Sequence, residues 1–151
     1  MIHETFIEVA EDCPAVRAEI PPARDSRPTK AAIEYELIAG EPYALTELFD
    51  ENIVWHLPGK SSMADDYQGR DATLAYFGQI GERTGGTFQA ELQQLFAGDD
   101  GRVIGLQRST AERDGKRLDV GNCIVFELRD GKVVDGREHF EDLHAWDEFW
   151  S

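Results

Sequence analysis

No stretch of about 18 consecutive apolar residues occurs in this 151-residue sequence, so no transmembrane helix is expected. The opening residues, Met1-Ile2-His3-Glu4-Thr5-Phe6, lack the basic start and apolar core of a secretory leader. Cysteine is scarce. Cys13 and Cys123 stand far apart, without the short spacing of a metal knuckle, which fits two free thiols in a reducing cytoplasm. Basic residues are half as numerous as acidic ones, 15 Lys and Arg against 30 Asp and Glu. The formal net charge of −15 argues against nucleic acid and anionic membrane surfaces as partners, because both require a basic face. Internal repeats and low-complexity tracts are also missing. These absences leave one acidic, cytoplasmic domain with a small molecule as its expected partner.

What is present can build a core. Eight Phe, four Tyr and three Trp supply large pieces to bury, and the length suits one domain with a terminal extension. Residues 1–28 read as that extension, because Cys13-Pro14, Pro21-Pro22 and Arg27-Pro28 interrupt any regular element. Thr29 is placed to cap a helix over about 30–39, stopped at Gly40, and Pro42 opens a second over about 42–49. Asp50-Glu51-Asn52 forms a turn into a strand over 53–57. A polar loop over 60–69 and a helix over about 72–83, capped by Asp71 and ended by Gly85-Gly86, come next. The segments 87–96, 102–113, 118–129 and 132–140 read as antiparallel strands. Two of their connections, Asp114-Gly115 and Asp130-Gly131, are strong tight-hairpin signals. A last helix, about 142–150, carries Leu143, Trp146, Phe149 and Trp150.

Helices followed by a meander of strands predict an α+β domain: a conical fold with a curved antiparallel sheet wrapped on N-terminal helices and a central pocket. Alternation divides each strand into two faces. In 118–129, Val120, Asn122, Ile124, Phe126 and Leu128 share the apolar face. In 132–140, the less charged set is Val134, Gly136, Glu138 and Phe140. In 102–113, the set Val103, Gly105, Gln107 and Ser109 is less charged than its alternative. Cys123 and Val125 leave the outer face apolar enough to pair with a second copy, so a homodimer through that face is expected.

His56, in Val54-Trp55-His56-Leu57-Pro58-Gly59, has a side chain able to exchange protons near neutrality. With Gln107 and Glu138 facing the same hollow, it would complete a cofactor-free acid–base set. His56 is then base or acid, Glu138 its partner, and Gln107 the group that orients substrate. The expected lining is Trp55, Tyr67, Asn122, Phe126 and Phe140, with no metal and no cofactor. This reading requires His56, Gln107 and Glu138 to converge. The alternatives are a non-catalytic ligand-binding domain and a dimerisation module with a filled cone.

From about residue 30 onward the chain resembles the nuclear transport factor two-like superfamily, in its SnoaL-like branch. The resemblance is carried by Leu48-Phe49-Asp50-Glu51-Asn52-Ile53-Val54-Trp55-His56-Leu57-Pro58-Gly59, by Tyr67-Gln68-Gly69-Arg70-Asp71-Ala72, and by Val125-Phe126-Glu127-Leu128-Arg129-Asp130-Gly131-Lys132-Val133-Val134. Glu141-Asp142 and Phe149-Trp150 close the pattern. It implies the cone fold, and a superfamily that spans isomerases, cyclases, dehydratases, epoxide hydrolases and non-enzymes. It also implies that His56 stands at the position of the general base of ketosteroid isomerase-like members, whose oxyanion-hole positions hold Ile33 and Ile124 here. Glu138 resembles one Asp of limonene-epoxide-hydrolase-like members, in which Gln107 and Gly105 replace the other Asp and the Arg. Residues 6–14 of the extension, together with the later residues 33–37, resemble the opening of an unrelated uncharacterised bacterial family.

Overall fold

The computed structural model describes residues 46–98 and 100–151. The extension, Cys13, Ile33, the helix expected over 30–39 and most of the one expected over 42–49 lie outside them. Thr46 to Leu48 are helical, and Phe49 already belongs to the first strand. Six strands and two helices follow: β1 (Phe49–Leu57), β2 (Asp65–Gln68), α1 (Arg70–Arg83), β3 (Gln89–Ala97), β4 (Arg102–Arg113), β5 (Lys116–Arg129), β6 (Lys132–Phe140) and α2 (Leu143–Trp150). They form one curved sheet in the order β2-β1-β6-β5-β4-β3, so the fold is α+β.

The β3 to β6 meander is antiparallel throughout. Both Asp-Gly hairpins turn as their residue types require, with positive φ at Asp114 (50°) and Gly115 (75°), and at Asp130 (51°) and Gly131 (79°). The expectation of a wholly antiparallel sheet is corrected at one seam. β1 runs parallel to β6, Trp55 standing opposite Gly136 and His56 opposite Arg137, so the sheet is mixed. Strand and meander are joined there through α1 and β3 to β5, a connection long enough for parallel pairing. Two segments expected as turn and loop are strand. Asp50-Glu51-Asn52 continues β1, with an irregularity in its pairing between Phe49 and Val54. Asp65–Gln68 pairs antiparallel with β1 as an edge strand, because the β1 backbone offers it a ladder that its polar side chains could not advertise.

α1 and α2 cover the inner face. Thr73, Tyr76 and Ile80 are the buried stripe of α1, which begins at Arg70, two residues before the expected start, with Asp71 in its first turn rather than at the cap. In α2 the Asp142 carboxylate caps, accepting from the Ala145 N–H at 2.9 Å. Trp146, Phe149 and Trp150 are all buried, so this helix is docked by its aromatic stripe. Arg83 from α1 and Arg113 from β4 donate to the Trp150 and Phe149 carbonyls at 3.2 and 2.8 Å, and both guanidinia lie over the Trp150 ring. These cations satisfy the free carbonyls at the negative end of α2. The Asp147 carboxylate accepts from the Lys60 and Ser61 N–H groups, tying the β1–β2 connection to the same helix.

Trp55 is the hub of the core. It is fully buried, with Phe77 edge-on at 5.0 Å and Phe49 and Phe126 each at 5.8 Å. Burial of a side chain of this kind is worth about 2–3 kcal/mol, with a further ~1 kcal/mol for each well-oriented aromatic pair. Its six-membered ring lies over Gly136: a Cβ built there would approach Trp55 Cε3 to 2.3 Å, so only glycine lets the indole lie flat on the sheet.

Candidate functional site

The inner face is set by parity. On β4, Val103, Gly105, Gln107, Ser109 and Ala111 point inward; on β5, Leu118, Val120, Asn122, Ile124 and Phe126 do. On β6 the inward set is Val133, Gly136 and Glu138. A bulge at Val134, where the register passes from Asp135 to Val133, moves Val133 into the core in place of Val134. Gln107 stands opposite Asn122, and Asn122 opposite Phe140, so these three form one row across the sheet.

Glu138 is the centre of the polar residues on this face. It is 6% exposed, and among the described residues no Lys or Arg bonds it; Arg108, on the outward parity of β4, donates to Asp119 at 2.7 Å. Three donors converge on its carboxylate. The Trp55 indole N–H and the Tyr76 hydroxyl both donate to Oε2, at 3.0 and 2.9 Å, and the Asn122 amide reaches Oε1 at 3.4 Å. Behind Asn122, the Ser109 hydroxyl donates to its Oδ1 at 3.1 Å. Removal from water penalises the charged form and pushes the carboxyl up to about 7, while the Trp55 and Tyr76 bonds pull in the other direction without cancelling that penalty. A carboxyl in this state can give or accept a proton near neutrality.

Tyr76 is held well above the ordinary phenol range by burial and then by the neighbouring carboxylate, so it stays a donor. Tyr67, on β2, stacks on Tyr76 at 4.7 Å and 22° and donates to the Met63 carbonyl; burial, Asp65 and Glu138 raise it too. The Gln107 Oε1 is buried and has no hydrogen-bond partner among the described residues, an arrangement that costs about 1–3 kcal/mol and leaves an acceptor available. Phe126 is buried against Trp55, and Phe140 stacks on Trp146 at 4.2 Å.

The expected convergence of His56, Gln107 and Glu138 does not form. Gln107 and Glu138 face inward, but His56 points to the opposite side of the sheet. The reason is parity: Ile53, Trp55 and Leu57 are the buried positions of β1, so His56 alternates outward. There its Nδ1 lies 2.7 Å from Asp66 Oδ1 and its Nε2 lies 2.8 Å from Asp135 Oδ1. Trp55, expected only as lining, contacts Glu138 directly. Tyr76 and Ser109 were not among the expected site residues. A tyrosine on the apolar stripe of a helix signals a hydroxyl that needs a buried partner, and that was the available clue to Tyr76.

Comparison with known proteins agrees with this architecture. Residues 29–136 match the SnoaL-like domain family. The chain belongs to that family. Among SnoaL-like and related proteins, an uncharacterized protein of Mycobacterium tuberculosis is 30% identical over 112 residues, covering 74% of this chain and 86% of its own. The structure of Bal32a, from a soil-derived mobile gene cassette, superposes with a TM-score of 0.78 at 56% identity, over 82% of this chain and 96% of that one. TerC, crystallised with polyporic acid, shares the fold with a TM-score of 0.68 at 17% identity, over 81% and 97% of the two chains. No helix among the described residues of this SnoaL-like chain is long and apolar enough to cross a membrane.

Proposed function

We propose that the protein binds a small, mostly apolar molecule against the inner face of its cone and acts on it by cofactor-independent acid–base catalysis centred on Glu138. The observation that carries the reading is a buried carboxyl held near pH 7 by desolvation and fixed in orientation by Trp55, Tyr76 and Asn122. Oε2 is occupied by two good donors. Among the described residues Oε1 meets only the long Asn122 contact, and it is the oxygen that exchanges a proton with the ligand. As carboxylate it removes a proton from an acidified C–H or O–H; as acid it returns that proton elsewhere on the molecule. Cyclisation, isomerisation and epoxide opening all use this exchange. The unpaired Gln107 Oε1 orients the ligand by accepting from a hydroxyl or N–H, and Phe126, Phe140 and Tyr67 supply apolar walls. The small acid crystallised with TerC supports a small-molecule site for a fold of this kind.

The alternative is binding without turnover, favoured by the full set of donors already engaging Glu138. Native mass spectrometry of the purified protein identifies what it carries, and turnover of that molecule is then compared with Glu138→Gln and Gln107→Leu. Acid–base catalysis predicts a 10²–10⁴-fold loss in Glu138→Gln with the ligand still bound. Turnover unchanged in Glu138→Gln removes the mechanism, and binding with no turnover in the native protein assigns a carrier. We also propose a homodimer through the outer face, where Ile104 is exposed and Leu106, Cys123 and Val125 are half-buried. Light scattering should give twice the chain mass, and Ile104→Arg should return it to the monomer value.

A further inference from the structure

The acid–base reading leaves His56 without a role, yet its surroundings are more constrained than those of an ordinary surface histidine. Both ring nitrogens are engaged, by Asp66 on β2 and by Asp135 on β6, from the strand that lies between those two. A carboxylate oxygen of a different strand lies within hydrogen-bond distance of each ring nitrogen, so the ring spans the gap between the two side chains. The charged groups that stand directly beside the bridge in the strand register are Arg137, opposite His56 on β6, and Glu127, opposite Asp135 on β5. Arg137 makes no ion pair with either aspartate, and Glu127 accepts from Arg129 at 2.8 Å. The imidazole is therefore the side chain that joins the two aspartates.

What the bridge holds is β2, a four-residue edge strand bonded to the sheet on one side only. A strand this short has little pairing of its own to keep it in register. One position along the same ladder, Trp55 stands opposite Tyr67. These two residues point inward: Trp55 donates to Glu138, and Tyr67 stacks on Tyr76, the other Oε2 donor. The outer bridge and the inner ring stack are therefore opposite sides of one piece of backbone.

We propose that His56 is a positioning residue, bridging Asp66 and Asp135 across the outer face to fix β2 in register and hold Tyr67 against Tyr76 beneath Glu138. This inference goes beyond the acid–base reading and does not require turnover. If Glu138 proves to have no chemistry, the bridge and its effect on Tyr67 stand or fall separately.

The test uses NMR of the full chain. The native protein is compared with His56→Gln under the same conditions. Amide exchange at Tyr67, Gln68 and Gly69, whose N–H donates to the Ile53 carbonyl, should accelerate at least about tenfold in that variant. Exchange in β4 and β5 should stay unchanged, and the Tyr67 ring resonances should lose the shift caused by the stacked Tyr76. A generalised structural defect would instead accelerate exchange across the whole sheet, and that outcome overturns the proposal. So does His56→Gln with unaltered Tyr67 resonances. Should His56→Gln fail to fold, Asp66→Ala on the exposed edge removes half of the bridge and must show the same local exchange and the same Tyr67 shift.

Discussion

Replacing Glu138 by Gln isolates the energetic signature of the buried carboxyl, because the side chains match in shape and only one can ionise. In the folded protein the group titrates near 7, against an ordinary value of 4.5. The folded state thus holds this proton more tightly than the unfolded state. Its contribution to stability is fully present below about 4.5, falls as pH rises through the window to about 7, and is level above it. At ~1.4 kcal/mol per pH unit, the loss across the window is about 3 kcal/mol. In Glu138→Gln that decline disappears. The glutamine oxygen can still accept from Trp55 and Tyr76, while its NH2 group forces Asn122 to turn its amide and Ser109 to follow, a cost that is the same at every pH. The quantity to measure is therefore a difference of differences: the stability of Glu138→Gln relative to the native protein, at pH 8 and again at pH 4.5. Urea unfolding at each pH should show the variant gaining about 3 kcal/mol relative to the native protein between those limits. Every other titrating group cancels in the comparison. Parallel stability curves, with a constant offset from pH 4.5 to 8, would refute the claim that Glu138 is held in its acid form by burial.

Other substitutions test the parts around it. Tyr76→Phe removes one of the two Oε2 donors, so the Glu138 titration should move further up and stability should fall by about 1–3 kcal/mol at pH 8, read by carboxyl carbon NMR and denaturant titration. Gly136→Ala should cost about 1–3 kcal/mol by forcing the Trp55 ring off the sheet, with a change in the near-ultraviolet circular dichroism of the tryptophans. Gln107→Leu removes a buried acceptor that has no partner among the described residues, so unfolding of the ligand-free protein should be unaffected or slightly harder, whereas affinity for the co-purified ligand should drop about tenfold or more.

Much of the fold was legible because local chemistry and global arrangement agree. Asp114-Gly115 and Asp130-Gly131 can adopt the left-handed pair that a two-residue hairpin needs, and in the strands flanking those turns alternation, with the lower charge of one parity, assigned Gln107, Asn122 and Glu138 to the inner face. The polar partners of Glu138 were harder to read, since Trp55 and Tyr76 lie 83 and 62 residues away in the chain. His56 was misplaced for a different reason. Its own strand carried the answer, because Ile53, Trp55 and Leu57 share one parity and are the larger hydrophobic set, which leaves His56 on the other face. The strand Asp65–Gln68 has no apolar alternation to announce it and exists through the edge it pairs with. The bulge at Val134 likewise depends on how β5 and β6 meet, and no local residue type marks it.

The central claim is that a buried carboxyl on the inner face exchanges its proton near neutrality. Carbon-13 NMR of the Glu138 side-chain carboxyl, followed from pH 3 to 9, measures it without any knowledge of substrate. The account predicts a midpoint close to 7 that moves upward in Tyr76→Phe. A midpoint near the ordinary 4.5, unmoved by that substitution, would contradict it.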